Sequence, residues 1–229
     1  MTWAVFCDFD GTVATVDTTD ALLERYADPA WRDVEQLWVD GQIGSKECMR
    51  RQVELVRATT RQIDAFADGI VIDDGFPAFV RACERRSVPV AVLSDGLDYV
   101  IRRVLERHAL GFLPVFANRL QPVGDDRYTL LAPHAAAPCA AGTCKCAIME
   151  RSKGGATLLI GDGRSDFCAA AGAADLVLAK DKLLRHCEEQ SIAHLAFDGF
   201  VHARTLLEMH LDGAPARATA PDLIDFGPA

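Results

Sequence analysis

The sequence predicts an α/β fold, a parallel sheet flanked by helices, with a small all-helical insert. Two observations lead there. Short continuous apolar runs (Trp3-Ala4-Val5-Phe6, Val88-Pro89-Val90-Ala91-Val92-Leu93 and Thr157-Leu158-Leu159-Ile160) have the length and composition of strands buried on both faces, and each leads into a polar cluster containing Asp and Gly. Between the first two runs, residues 17–76 carry helical rather than strand periodicity. At 229 residues the chain can hold one large core and a small accessory domain.

Taken in order, the first strand leads into Asp8-Phe9-Asp10-Gly11-Thr12. In open α/β sheets the carboxyl ends of the strands are where ligands bind. Two Asp one residue apart leave a strand end on the same side. They can share a cation, or one can attack as a nucleophile while the other handles protons. The same pattern also occurs in turns and calcium loops. Thr18-Thr19-Asp20 starts a helix, with Leu22, Leu23 and Tyr26 at helical spacing. Asp28-Pro29 breaks it, and Trp31, Val34, Leu37 and Trp38 mark a second. Residues 41–44 form a loop, Met49, Val53, Leu55 and Val56 a third helix, and 60–66 a fourth; Phe76-Pro77 begins the return to the core.

The second strand ends in Ser94-Asp95-Gly96, and Tyr99, Ile101, Val104, Leu105 and His108 fit a crossover helix with His108 in a structural role. Residues 115–120 and 128–131, split by Gly124-Asp125-Asp126, form a β-hairpin. The third strand runs into Gly161-Asp162-Gly163-Arg164-Ser165-Asp166, and residues 176–179 and 194–197 are the last strands. The tail from Asp212 is rich in Ala and Pro and is expected to associate loosely.

Composition narrows the partners. The net charge of −9 and the lack of a basic stripe argue against nucleic acid, and Arg81, Arg85 and Arg86 form a solvated helix face. No run approaches the ~18 apolar residues of a membrane helix. The chain enters a strand without a basic, cleavable leader, so a cytoplasmic location is expected. Cys7, Cys48, Cys83, Cys168 and Cys187 are scattered as reduced cysteines are. His134, Cys139, Cys144 and Cys146 crowd one loop; they are a zinc set, plain thiols or a redox-sensitive pair, and they lack a Cys-x-x-Cys spacing.

Four polar stations in fixed order resemble the motifs of the haloacid dehalogenase (HAD) superfamily: Asp8 to Thr12, Ser94-Asp95-Gly96, Lys145 within Cys144-Lys145-Cys146, and Gly161-Asp162 with Asp166. The resemblance covers nearly the whole chain and implies a HAD-like Rossmannoid core, residues 1–16 and 77–212. It also implies a helical C1 cap at 17–76 that selects the leaving group, and a tail at 213–229. Asp10 is the acid that the family's phosphatases and mutases carry. The implied activity is hydrolysis of a small phosphate ester, with transfer to another alcohol or an idle binding fold as alternatives. The chain is expected to be a monomer or homodimer.

The chemistry follows from the charges. A phosphate dianion repels an attacking carboxylate, so the site must neutralise charge first. Asp8, Asp10 and Asp162 bring hard oxygen ligands suited to Mg²⁺. Asp8 would attack phosphorus, and Asp10 would protonate the leaving alcohol and then deprotonate water. Lys145 adds positive charge, with Lys153 as the competing lysine, and Asp166 would hold Lys145 or a metal-bound water in place from behind. Ser94, with groups at Phe9, Gly11, Thr12, Asp95 and Gly96, is placed to bind phosphate oxygens.

The loop before Lys145 is similar to that of two phosphatase families, one acting on phosphocholine or phosphoethanolamine and one on the methylthio-ketopentenyl phosphate of methionine salvage. Ala136 departs from both, where Cys is usual. By likeness to the more distant phosphoserine phosphatases, Asp17, nine residues after Asp8, faces the substrate, and Gln52 stands where they have a carboxylate-binding Arg. Tyr26, Trp31 and Trp38 are cap core or, alternatively, a wall for a cationic substrate.

Overall fold

The computed structural model describes residues 2–152 and 155–212, so the tail and Lys153 lie outside the described residues. Along the chain, β1 (Trp3–Cys7) is followed by α1 (Thr18–Tyr26), α2 (Trp31–Val39), α3 (Ser45–Glu54), α4 (Thr60–Asp68) and α5 (Phe76–Arg85). Then come β2 (Val90–Leu97), α6 (Asp98–Arg107), β3 (Val115–Pro122), β4 (Tyr128–Leu131) and α7 (Lys145–Arg151). The chain continues through β5 (Ala156–Gly161), α8 (Phe167–Gly172), β6 (Leu176–Ala179), α9 (Asp181–Gln190), β7 (His194–Ala196) and α10 (Phe200–Asp212). The chain divides into two compact units, Met1–Thr15 with Ile72–Val92 and Lys145–Ala229, and Val16–Val71 with Leu93–Cys144.

In the first unit the strand order is β2-β1-β5-β6-β7. Its neighbours run parallel throughout. Every residue of β5 is buried, as are Ala4 to Cys7 of β1, which is why these strands lack polar alternation. Cys7 pairs with both Val92 and Ile160, so β1 and β5 end level with one another. The register is carried one residue further by Asp8 N–H, which donates to the Ile160 carbonyl at 2.8 Å. On one face α5 packs on α10, where the Phe76 and Phe79 rings meet Phe200 edge-on at 4.7 and 5.2 Å. Gly75 permits that approach, because a Cβ there would lie 2.6 Å from Val201 N.

The second unit contains α1 to α4, α6 and the antiparallel pair β3–β4, in which Arg119 faces Leu131 and Pro122 faces Tyr128. Arg103 of α6 binds Asp68 of α4 through both Nε and Nη2 at 2.8 Å, and Tyr99 donates to Asp64 at 2.6 Å. Asp28 and Pro29 separate α1 from α2, as the sequence predicts, but the cap of α1 is Asp17, whose Oδ1 accepts from Asp20 N.

The structure departs from the sequence expectation at β2. The strand does not stop at Leu93 but continues through Ser94-Asp95-Gly96 to Leu97, and α6 begins at the next residue. The polar cluster is thus strand backbone, with Ser94 fully buried. Lys145, expected in a loop, is the first residue of α7.

Candidate active site

The first unit gathers its chemistry at the carboxyl ends of β1 and β5. After Asp8 the chain makes a tight turn over Phe9–Val13 in which Gly11 adopts φ +69°. That left-handed backbone suits glycine, and a Cβ at Gly11 would also lie 2.6 Å from Asp162 Oδ2. Thr12 Oγ1 donates to Asp162 Oδ1 at 2.7 Å, tying the turn to the end of β5. Beyond β5, the turn Arg164–Asp166 is closed by Gly163 N–H donating to Asp166 Oδ2 at 3.3 Å. A Cβ at Gly161 would collide with the Asp166 carboxylate.

Three carboxylates, from Asp8, Asp162 and Asp166, bring oxygens within 4.8 Å of one another. This is the one group of three or more such ligands among the described residues, and the Asp10 side chain is not a member. Asp10 lies on the same turn, half-buried. Lys145 Nζ sits 2.8 Å from Asp8 Oδ1 and 2.6 Å from Asp166 Oδ1. Asp8 Oδ1 also accepts from Phe9 N at 2.8 Å.

The electrostatics follow from burial. Burial, and then the neighbouring Asp166, push the Asp8 carboxyl well above its usual range, while Lys145 opposes them. Burial pushes Asp162 up as well, against the Thr12 hydrogen bond. For Lys145, burial alone favours the neutral amine, but Asp166 and Asp8 outweigh it and hold the group protonated. Hard oxygens, an excess of negative charge over the Lys145 ammonium, and carboxyls strained upward by one another make a donor set that fits a divalent cation such as Mg²⁺.

The remaining expected residues lie in the second unit. Ser94 Oγ accepts from Gly96 N at 2.9 Å. Asp95 is a junction: Oδ1 accepts from Asn118 Nδ2 at 3.0 Å and Thr143 N at 2.9 Å, and Oδ2 accepts from Ser45 Oγ at 2.7 Å. Asp17 is exposed, with Oδ1 engaged as the α1 cap. Gln52 is buried and donates from Nε2 to Glu35 Oε2 at 2.8 Å. Glu35 was not foreseen; its signal is its place on the Trp31/Val34/Trp38 face of α2. Tyr26 meets Phe66 edge-on and donates to the Gln62 carbonyl, and Trp31 is buried beneath the Arg32 guanidinium. Both rings are packed within the unit. The His134 and Phe116 rings meet in a T-shaped contact at 5.3 Å, and the His134 carbonyl accepts from Cys144 N; with Cys139 and Cys146 it does not form a metal-sized group among the described residues.

A parallel sheet with strand-end carboxylates and a buried lysine defines a class, and sequence comparison agrees: the model of the haloacid dehalogenase-like hydrolase family matches residues 5–171, and the chain belongs to that family of enzymes. Among its relatives is the 2-hydroxy-3-keto-5-methylthiopentenyl-1-phosphate phosphatase of Lysinibacillus sphaericus, 27% identical over 206 residues, 86% of this chain and 90% of that one. The phosphatase of the same name from Brevibacillus brevis is 29% identical over 203 residues, with the same coverage. Among solved structures, a phospho-aspartyl intermediate analogue of phosphoserine phosphatase shares the fold with a TM-score of 0.68. It is 19% identical and covers 91% of this chain and 98% of its own. No helix among the described residues is long and apolar enough to cross a membrane.

Proposed function

We propose that this chain is a Mg²⁺-dependent phosphomonoesterase acting through an aspartyl-phosphate on Asp8, with a methylthio-ketopentenyl phosphate or a similar small alcohol phosphate as substrate. The observation that supports it best is the buried contact of Lys145 with Asp8 and Asp166 beside Asp162. The names of the relatives supply the substrate class. The free thiols suit the reducing cytoplasm.

Asp8 and Asp162, with Asp10 from the same turn, would hold the Mg²⁺. The bound cation supplies charge neutralisation and polarises the phosphoryl oxygen. Lys145, kept protonated by its two carboxylates, favours the ionised form of Asp8 against burial and presents positive charge where a phosphate arrives. Asp8 then attacks phosphorus, and the ester bond breaks as Asp10 protonates the departing alkoxide. Asp10, now ionised, takes a proton from the water that hydrolyses the acyl-phosphate. On the family resemblance, Ser94 binds phosphate, the helical segment 17–76 acts as the cap, and Asp17 and Gln52 select the leaving group.

Phosphate release is measured on the methylthio-ketopentenyl phosphate, phosphocholine, phosphoethanolamine, phosphoserine and an activated aryl phosphate, with and without Mg²⁺, beside Asp8→Asn. The expected result is release that needs both Mg²⁺ and Asp8 and is fastest on the first substrate. Silence on every ester overturns the hydrolase reading; a best rate on another ester overturns the substrate.

A further inference from the structure

Four neighbouring strands of the first unit reach the same edge, and the first residues past them are Asp8 after β1, Asp162 after β5, Lys180 after β6 and Phe197 after β7. The register fixes the last three in a row. Gly161 pairs with Ala179, and Ala179 pairs with Ala196. Lys180 N–H then donates to the Gly161 carbonyl at 3.2 Å, and Phe197 N–H to the Ala179 carbonyl at 3.1 Å. Lys180 therefore stands between Asp162 and Phe197.

Both residues of this pair are held by the start of α9. Leu183 N–H donates to the Asp162 carbonyl at 2.8 Å, and Leu184 N–H to the Lys180 carbonyl at 3.1 Å. Lys180 Nζ lies 5.6 Å from the centroid of the Phe197 ring, within cation–π reach, and that ring is buried. The lysine itself is half-buried. Burial is the largest influence on the Asp162 carboxyl and raises it, while the Thr12 hydrogen bond opposes. Of the two ammonium groups that also lower it, Lys180 acts more strongly than Lys145. Lys145 is engaged by Asp8 and Asp166 instead.

We propose that Lys180 is a positioning residue that acts by its field, loosening the hold on Mg²⁺ and tightening the hold on the phosphate dianion. The inference rests on the phosphomonoesterase reading above. Both effects follow from one charge at one place. An ammonium beside Asp162 repels a divalent cation bound to that carboxylate. With Asp8, Asp162 and Asp166 ionised and Asp10 carrying its proton, Mg²⁺ and the Lys145 ammonium bring the site to neutrality. Lys180 adds a positive surplus, which draws in a dianion that a neutral site would only tolerate. Lys180 keeps its proton throughout and forms no bond to the substrate.

The test uses wild type, Lys180→Met, Lys180→Arg and Asp162→Asn. Calorimetry measures the affinity for Mg²⁺, and then for inorganic phosphate at saturating Mg²⁺, in low and in high salt. Kinetics on p-nitrophenyl phosphate and the thermal midpoint accompany it. Lys180→Met should bind Mg²⁺ roughly 3- to 10-fold more tightly and phosphate more weakly by a similar factor. KM should rise with the loss of phosphate affinity, while kcat stays within about three-fold. Both differences should shrink in high salt, which screens a half-buried charge. Lys180→Arg should restore wild-type values. Affinities that do not move in opposite directions in Lys180→Met overturn the proposal; a loss of both with a lowered midpoint marks a structural role. If wild type shows no Mg²⁺ binding that Asp162→Asn removes, the metal-dependent phosphomonoesterase reading itself falls and takes this inference with it.

Discussion

Lys145 and Asp166 meet in a 2.6 Å ion pair whose side chains are 2% and 0% exposed. A pair this deep is costly to assemble, and far costlier to break on one side. Lys145→Met removes the ammonium from between Asp8 and Asp166 and leaves two buried carboxylates facing each other. It should cost about 3–5 kcal/mol in urea unfolding at neutral pH. The loss should shrink in acid, where the stranded carboxyls protonate; equal losses at both pH values would show that charge is not the cause.

Gly11 answers for both the turn and the cluster. Gly11→Ala must hold φ +69° with a side chain and push against Asp162 Oδ2. The backbone strain alone is worth about 1–3 kcal/mol. The displacement of Asp162 should raise the Mg²⁺ concentration needed for half-maximal activity. A stability loss with unchanged Mg²⁺ response would separate the turn from the proposed metal site.

Asp95 joins three segments of its unit through Ser45, Asn118 and Thr143. Asp95→Ala strands these donors and should cost roughly 2–4 kcal/mol in chemical denaturation. Asp95→Asn keeps the shape but cannot accept from every donor, so it should fall between wild type and Ala. A neutral Asp95→Ala would overturn the junction.

Tyr99 gives a reading in alkali. Its hydrogen bond to Asp64 and partial burial push the phenol up to about 12. A raised pKa contributes stability that is complete below the ordinary tyrosine value near 10 and is lost as pH climbs from there to about 12. Ultraviolet titration should show one tyrosinate forming late, and Asp64→Asn should bring it back toward the ordinary value. An unaltered titration in that variant would disprove the coupling.

The strands were legible because both faces of β1 and β5 are covered, so burial writes itself as an unbroken apolar run. The same logic misjudged β2, where buried Ser94 continues the strand in polar residues that look like a loop. Periodicity located α1 to α4 because each has an apolar stripe. It gave no sign of α8, whose run Phe167–Gly172 is short and mostly alanine. The spacing of Asp8, Lys145, Asp162 and Asp166 was visible, but not which atoms meet. Ser165 bonding to Asp8 across 157 positions, or Gln52 turning to Glu35 rather than outward, depends on side-chain geometry that no local pattern encodes.

The direct passage from Leu97 of β2 to Asp98 of α6 bears on how relatives of this chain can vary in length. One added residue at that join would rotate all of α6 by about 100° and carry Val100, Ile101, Val104 and Leu105 off their buried face. The β3–β4 turn is different. It is exposed from Gln121 to Arg127, and although Asp126 is anchored by Ala58 N–H, a side chain at Gly124 would meet little but Arg127. Natural insertions, epitope tags or a split point belong at Gly124, while the Leu97–Asp98 peptide is a place where the gene cannot change its reading length without losing the helix that follows.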